Sequence, residues 1–192
     1  MSITKLNDIF SFAEIELIND AISLHTIDID SNLGRGWIGD IKNQLAQEVK
    51  DKIYRIISDI SNAPLAIDHM LYAEYSSKYG KPNLPPHFDG DTNDLIINMQ
   101  LYSNTTWDIG LNLEIYSLED NSAIVFNGNT EAHWRPRKEF KEGEYVKMIF
   151  IRFYNLEKRS DYSYLPMNQI DPIFDEVRAL RDSLPGIVEY NL

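Results

Sequence analysis

Cysteine is absent from this 192-residue chain. That excludes disulfides, thiolate nucleophiles and zinc-thiolate centres, and it limits any metal site to histidine and carboxylate ligands. Basic residues are scarce: 18 Lys and Arg stand against 30 Asp and Glu, for a formal net charge of −12. Such a surface repels phosphate backbones and anionic membranes unless its few cations cluster, so broad nucleic-acid binding is not expected. Long apolar runs are also missing. A stretch such as Met148 to Ile151 falls far short of the roughly 18–20 residues of a spanning helix. Asp8, Glu14 and Glu16 interrupt the first 24 residues, so neither an export signal nor a membrane span is expected. A reducing, cytoplasmic setting suits a chain without cysteine.

What is present supports a packed core. Hydrophobic residues make up 43% of the chain, and at this length one folding unit burying about 70% of its extended surface is expected. Its parts would be a helical N-terminal region over about 1–64, a β core over about 65–156, and a C-terminal helix with a tail over about 157–192. Ser11-Phe12-Ala13-Glu14 reads as a capping box opening a helix to about Leu24, with Ile15, Leu17, Ile18 and Ile22 inward. After a loop containing Asn32 to Gly36, a stripe from Ile41 through Leu45, Val49, Ile53 and Ile57 to Ile60 predicts a second, longer helix.

From about Leu65 the period shortens. Met70 to Tyr75, Leu95 to Tyr102, Leu111 to Tyr116, Ala123 to Phe126 and Tyr145 to Tyr154 read as strands, several of them separated by turns such as Asp89-Gly90, Asn127-Gly128 and Glu142-Gly143. Helices first and then clustered strands predict an α+β fold with mostly antiparallel sheets, closed as a jelly roll. A short helix from about Asp171 to Ser183 ends the domain, before Pro185-Gly186.

Histidine is rare as well, at four residues: His25, His69, His87 and His133. In an extended segment His87 and Asp89 point to the same side, so an imidazole and a carboxylate converge. With a second histidine from a distant strand, three such ligands occupy one face of an octahedron and leave the opposite positions open. His133 is the best third ligand, following a strand that ends Val125-Phe126-Asn127-Gly128. Asp91 and Asp94 are alternative carboxylates without the His-x-Asp spacing, and His25 and His69 have no partner pattern.

Taken in order, Tyr72-Ala-Glu-Tyr75, Pro86-His87-Phe88-Asp89, Leu95 to Leu101, and Ala123 to Phe126 followed by His133 resemble the core of prolyl-4-hydroxylase-like iron(II)/2-oxoglutarate dioxygenases. The resemblance covers about Met70 to Tyr154, and the helices before it also look like that family. It implies a double-stranded β-helix, the jelly-roll or cupin-like form, braced by N-terminal helices. It further implies iron(II) held by His87, Asp89 and His133, with 2-oxoglutarate as cosubstrate and dioxygen as oxidant. The activity implied is hydroxylation of an unactivated C–H bond in a small molecule, amino acid or peptidyl residue, releasing succinate and carbon dioxide. Asp89 speaks against the related halogenases, which lack that carboxylate.

The chain departs from the family at the cosubstrate anchor. Relatives place Lys or Arg some way beyond the distal histidine, where Gly143, Glu144 and Tyr145 stand here. Arg135 shares the ligand's side two residues on, and its planar fork suits a carboxylate. Lys147, in a run apolar on both faces, is the rival, with Arg137 behind it. Tyr75 or Tyr72 would add a hydroxyl. Asn98 and Gln100 share one strand face and are candidate pocket walls, whereas Trp134 is expected to pack. The segments Ser76 to Pro86 and His25 to Asp40 are candidate lids. Two other classes fit the residues: a non-catalytic β-barrel that binds a ligand, and a cupin-like metalloenzyme without 2-oxoglutarate.

Overall fold

A computed structural model describes residues 3–89, 94–157 and 167–184. Helix α1 (Phe12–Ser23) opens with the expected box: Ser11 N donates to Glu14 Oε2 at 2.7 Å and Glu14 N to Ser11 Oγ at 3.3 Å. Ile15, Ile18 and Ala21 are its buried stripe, with Leu17 and Ile22 packed at the margin. Helix α2 (Gln47–Ile60) buries Val49, Ile53 and Ile57, each contributing about 1.5–3 kcal/mol on removal from water. It is shorter than the apolar stripe. Ile41 and Leu45 are buried at helical spacing, yet Ile41 N donates to Met70 O at 2.9 Å, and Asp40 Oδ1 accepts from Lys42 N and Met70 N. That turn ties residues 40–42 to the sheet and delays the helix to residue 47.

The N-terminal region also holds three strands that the helical reading omitted: β1 (Thr4–Leu6), β2 (Asp28–Asp30) and β3 (Arg35–Ile38). The β core follows as β4 (Leu65–Ser76), β5 (Leu95–Ser103), β6 (Ile109–Leu111), β7 (Glu114–Tyr116), β8 (Ser122–Phe126), β9 (His133–Trp134) and β10 (Tyr145–Asn155). The stretch read as one strand from Leu111 to Tyr116 is split between β6 and β7, because Asn112 takes a φ of 51° and turns the chain. Helix α3 (Met167–Ser183) ends the described chain. Gly90 to Asn93, which include Asp91, and the tail from Pro185 lie outside the described residues.

Every strand pairing among the described residues is antiparallel. The large sheet runs β1-β8-β5-β10-β4-β3-β2 and the small one β7-β6-β9. His87 extends the small sheet by one step: its N donates to His133 O at 3.1 Å, and His133 N returns to His87 O at 3.0 Å. Two facing sheets make the double-stranded β-helix. Side-chain parity then divides the large sheet. Tyr72, Ile97, Met99, Ile149 and Ile151 pack against the helices, whereas Leu71, Tyr75, Ile96, Asn98 and Phe150 face the small sheet. The cavity opens between the sheets. At Gly110 an added Cβ would lie 2.0 Å from the Trp134 ring on the neighbouring strand, so only glycine lets β6 approach β9.

Candidate metal centre and its pocket

His87 reaches the cavity because Leu84-Pro85-Pro86 keeps the chain extended into its bridge with β9. Its Nδ1 lies 2.8 Å from Pro85 O, and His133 Nδ1 lies 3.1 Å from Glu131 O. A carbonyl only accepts, so each Nδ1 carries a proton and each Nε2 is turned toward Asp89. Between them stands Asp89, its N donating to Gly128 O at 2.9 Å. His87 Nε2 is 3.7 Å from Asp89 Oδ1 and His133 Nε2 is 3.6 Å from Oδ2. One ligand atom from each residue lies within 4.8 Å of the others, the single such group among the described residues.

The protonation states suit a cation. Burial lowers the His87 pKa to about 4, with His133 adding to the effect, so this imidazole is neutral at pH 7. Burial works against ionisation of Asp89, but His133, Arg152 and His87 outweigh it and hold the carboxyl at about 2. Two imidazole nitrogens and one carboxylate on one side of a space are the donor set of a facial triad. Asp94 is engaged elsewhere, accepting from Asn155 N at 2.7 Å.

Arg135 is 2% exposed and lines the same cavity. Its Nη1 donates to the carbonyls of Trp107 and Asp108, its Nη2 to Asn98 Oδ1 at 3.2 Å, and its guanidinium carbon stands 4.8 Å from the Trp107 ring centre. Burial lowers its pKa to about 10, with Tyr75 and Asp108 opposing, and it stays charged at neutral pH. Behind it, Arg181 of α3 donates Nε to Arg135 O at 3.1 Å. Tyr75 is fully buried in the cavity wall, and its hydroxyl has no partner among the described residues.

Lys147, Tyr72, Arg137 and Gln100 are not brought to this pocket. Lys147 keeps the helix-side parity of Ile149, with its ammonium 5.4 Å from the Tyr145 ring centre. Tyr72 lies in the helix-facing core and donates to Glu74 Oε2 at 3.3 Å. Arg137 pairs with Asp182 at 3.6 Å. Gln100 is committed to Leu118 O and Ser103, leaving Asn98 as the amide in the wall. Trp134 packs, donating Nε1 to Asn112 O at 3.1 Å, and also forms part of the cavity wall. Two charged wall residues were not anticipated. Arg152 sets Nη2 3.4 Å from both Asp89 oxygens, and Arg35 enters from β3. Only strand register brings Arg152 to Asp89, so no local motif marks it. The two candidate lids meet each other: Leu33 and Leu84 line the cavity, and Asn83 N donates to Leu33 O at 3.4 Å. The cavity measures about 230 Å³.

No protein-family model matches the sequence, and no curated protein sequence does. Solved structures match the fold. The viral collagen prolyl hydroxylase vCPH from Paramecium Bursaria Chlorella virus-1, in its 2-oxoglutarate complex, aligns with TM-score 0.59 and 14% identity over 81% of this chain and 97% of that one. HygX from Streptomyces hygroscopicus, with nickel and 2-oxoglutarate bound, gives 0.61 and 9% over 80% and 83%. SnoN, a non-heme alpha ketoglutarate dependent epimerase from nogalamycin biosynthesis, gives 0.63 and 11% over 99% and 85%. The chain thus has the double-stranded β-helix fold of the 2-oxoglutarate and iron(II) oxygenases. Among the described residues no helix is long and apolar enough to cross a membrane.

Proposed function

We propose that this chain is an iron(II)- and 2-oxoglutarate-dependent oxygenase that hydroxylates a C–H bond of a small-molecule substrate in the cytoplasm. The observation that carries the reading is the convergence of His87, Asp89 and His133 on one space, in a cavity that also holds a buried guanidinium and a phenol without a partner among the described residues. The donor set fits a divalent first-row metal with open positions. Bound there, iron(II) would supply activation of dioxygen coupled to oxidative decarboxylation of the cosubstrate.

The chain's own residues have separable roles. Pro85 O and Glu131 O hold the two Nδ1 atoms and orient the rings, so each Nε2 is the nitrogen presented to a metal. Arg135 meets the distal carboxylate of 2-oxoglutarate, and the Tyr75 hydroxyl donates to the same group. Asn98 and the Trp107 carbonyl hold the guanidinium in place while its remaining donor capacity faces the cavity. Leu71, Ile96, Phe126 and Phe150 make an apolar wall that excludes water from the reacting positions.

The test is turnover. Protein supplied with iron(II), ascorbate, dioxygen and 2-oxoglutarate labelled at the 1-carboxylate should release labelled carbon dioxide and succinate, and His133→Ala should not. Absence of 2-oxoglutarate consumption in wild type, with iron bound, would favour the cupin-like alternative. SnoN is an epimerase, so stereoinversion is the second outcome on this fold, and label from ¹⁸O₂ in the oxidised substrate, rather than in succinate alone, separates hydroxylation from it.

A further inference from the structure

Among the described residues, the cavity wall carries three guanidiniums, those of Arg35, Arg135 and Arg152, beside the carboxylate of Asp89. A bound iron(II) and a 2-oxoglutarate dianion cancel each other, so loading the site adds no net charge. Asp30 stands beside Arg35, and Asp108 beside Arg135. A buried polar group is costly without a partner, and the Nε of Arg35 has none among the described residues. Arg135 is assigned to the cosubstrate, and Arg152 faces Asp89 at 3.4 Å. Arg35 remains. Its side chain is 14% exposed, and Asp30 Oδ2 lies 3.4 Å from Nη2. Its guanidinium carbon stands 5.4 Å from the Trp37 ring centre, and its buried Nε has no acceptor among the described residues.

The position of Arg35 is fixed. Asp30 and Arg35 are the cross-strand pair that closes the β2–β3 hairpin. Gly34 at its tip has a φ of 61°, and an added Cβ would lie 2.3 Å from Lys81 O. The tip is therefore seated against residues 81–83, and that segment runs on to His87. An arginine so placed holds its fork at a set distance from the metal ligands.

We infer that the substrate is a small carboxylate, an amino acid or short acid, and that Arg35 is the specificity-determining residue that grips it through Nε and a terminal nitrogen. This rests on the oxygenase reading of the site and deepens it by naming the substrate class. One guanidinium edge matches a monoanionic carboxylate, and a phosphate dianion would need a second cation. The planar fork suits a carboxylate held by two parallel hydrogen bonds. The cavity, at about 230 Å³, lies below the roughly 300–1,000 Å³ of drug-sized sites, which favours a small acid.

The test is direct binding to full-length protein loaded anaerobically with manganese(II) and 2-oxoglutarate. The probes are the standard L-amino acids and short unbranched fatty acids, each beside its primary amide, with glycerol 3-phosphate as the phosphate arm. At least one acid should bind with Kd at or below about 1 mM, and its amide at least about tenfold more weakly. Arg35→Gln should weaken that acid by about thirtyfold or more, with manganese and 2-oxoglutarate affinities unchanged. Asp30→Asn keeps the oxygen that accepts from Leu33 N but removes the competing charge, so it should leave acid binding equal or tighter. Several results would overturn the inference: no acid preferred over its amide, wild-type acid binding in Arg35→Gln, or loss of 2-oxoglutarate in that variant. Tighter binding of glycerol 3-phosphate than of any acid would do so too. Asp30→Asn losing as much as Arg35→Gln would show that the ion pair merely holds the hairpin. If wild type binds neither manganese nor 2-oxoglutarate, the oxygenase reading fails, and the acid-against-amide comparison on metal-free protein still decides the role of Arg35.

Discussion

Removing the Tyr75 hydroxyl should move stability and cosubstrate affinity in opposite directions. The side chain is 0% exposed, its ring packs edge-on to Trp107 at 4.7 Å, and its oxygen has no partner among the described residues. Tyr75→Phe keeps the ring and its packing. It deletes a desolvated polar group that costs on the order of 1 kcal/mol or more when left unpaired. The metal-free, 2-oxoglutarate-free protein should therefore be as stable as wild type or up to about 1 kcal/mol more stable, a rise of as much as about 2–4 °C in Tm. If the hydroxyl donates to the distal carboxylate of 2-oxoglutarate, the variant loses a hydrogen bond to a charged group, about 1.5–3 kcal/mol. That is roughly a 10- to 150-fold weaker Kd. Thermal melts of the apo protein and calorimetric titration of 2-oxoglutarate into manganese-loaded protein read the two effects separately. Wild-type 2-oxoglutarate affinity in Tyr75→Phe would refute the assignment, and a marked loss of apo stability would show that the hydroxyl has a structural partner.

Arg135→Gln should raise the 2-oxoglutarate Kd by roughly 30- to several-thousand-fold through loss of a buried charge partner, with Arg135→Lys recovering part. Lys147→Met, on the helix-facing side, should leave that Kd within about threefold and stability equal or higher; calorimetry decides the ranking, and a large defect only at Lys147 would transfer the anchor there. Burial alone would raise the Glu14 pKa, yet hydrogen bonds from Lys52 and Ser11 give a net lowering. The stability from this capping box is thus fully present above the unfolded pKa and fades as pH falls through the lower folded value. In urea melts at pH 7 and pH 3, Glu14→Gln should cost about 1 kcal/mol at pH 7 and much less at pH 3, and an equal cost at both would contradict the sign. Gly110→Ala should destabilise by about 1–3 kcal/mol or more, because the methyl overlaps the Trp134 ring; an unshifted Tm would show that the strands part freely.

What could be read from the sequence followed the two periodicities. His87 and Asp89 share a side in any extended segment, and Arg135 shares the side of His133 for the same reason. The Ser11–Glu14 box set the start of α1, since a cap is local chemistry. The helical stripe misled at Ile41 and Leu45, where residues buried at helical spacing sit in a turn bonded to Met70. The β2–β3 hairpin escaped notice because its strands are three and four residues long, too short for a period. Lys147 lies in a run apolar on both faces, so parity alone could not orient it. Tyr72 and Tyr75, three residues apart on one strand, must face opposite ways, and a fixed pocket side separates them. Arg152 meets Asp89 only through the register of β10 against β4 and β5, which is long-range information.

The central claim, a metal and 2-oxoglutarate held together by His87, Asp89, His133 and Arg135, is tested most directly by an anaerobic titration. Iron(II) added to the protein, followed by 2-oxoglutarate, should produce the weak visible charge-transfer band of the chelate. The band should be lost in His87→Ala and His133→Ala and should require far more 2-oxoglutarate in Arg135→Gln. A wild-type protein that binds iron yet develops no band at saturating 2-oxoglutarate, or whose band survives the loss of either histidine, would contradict the account.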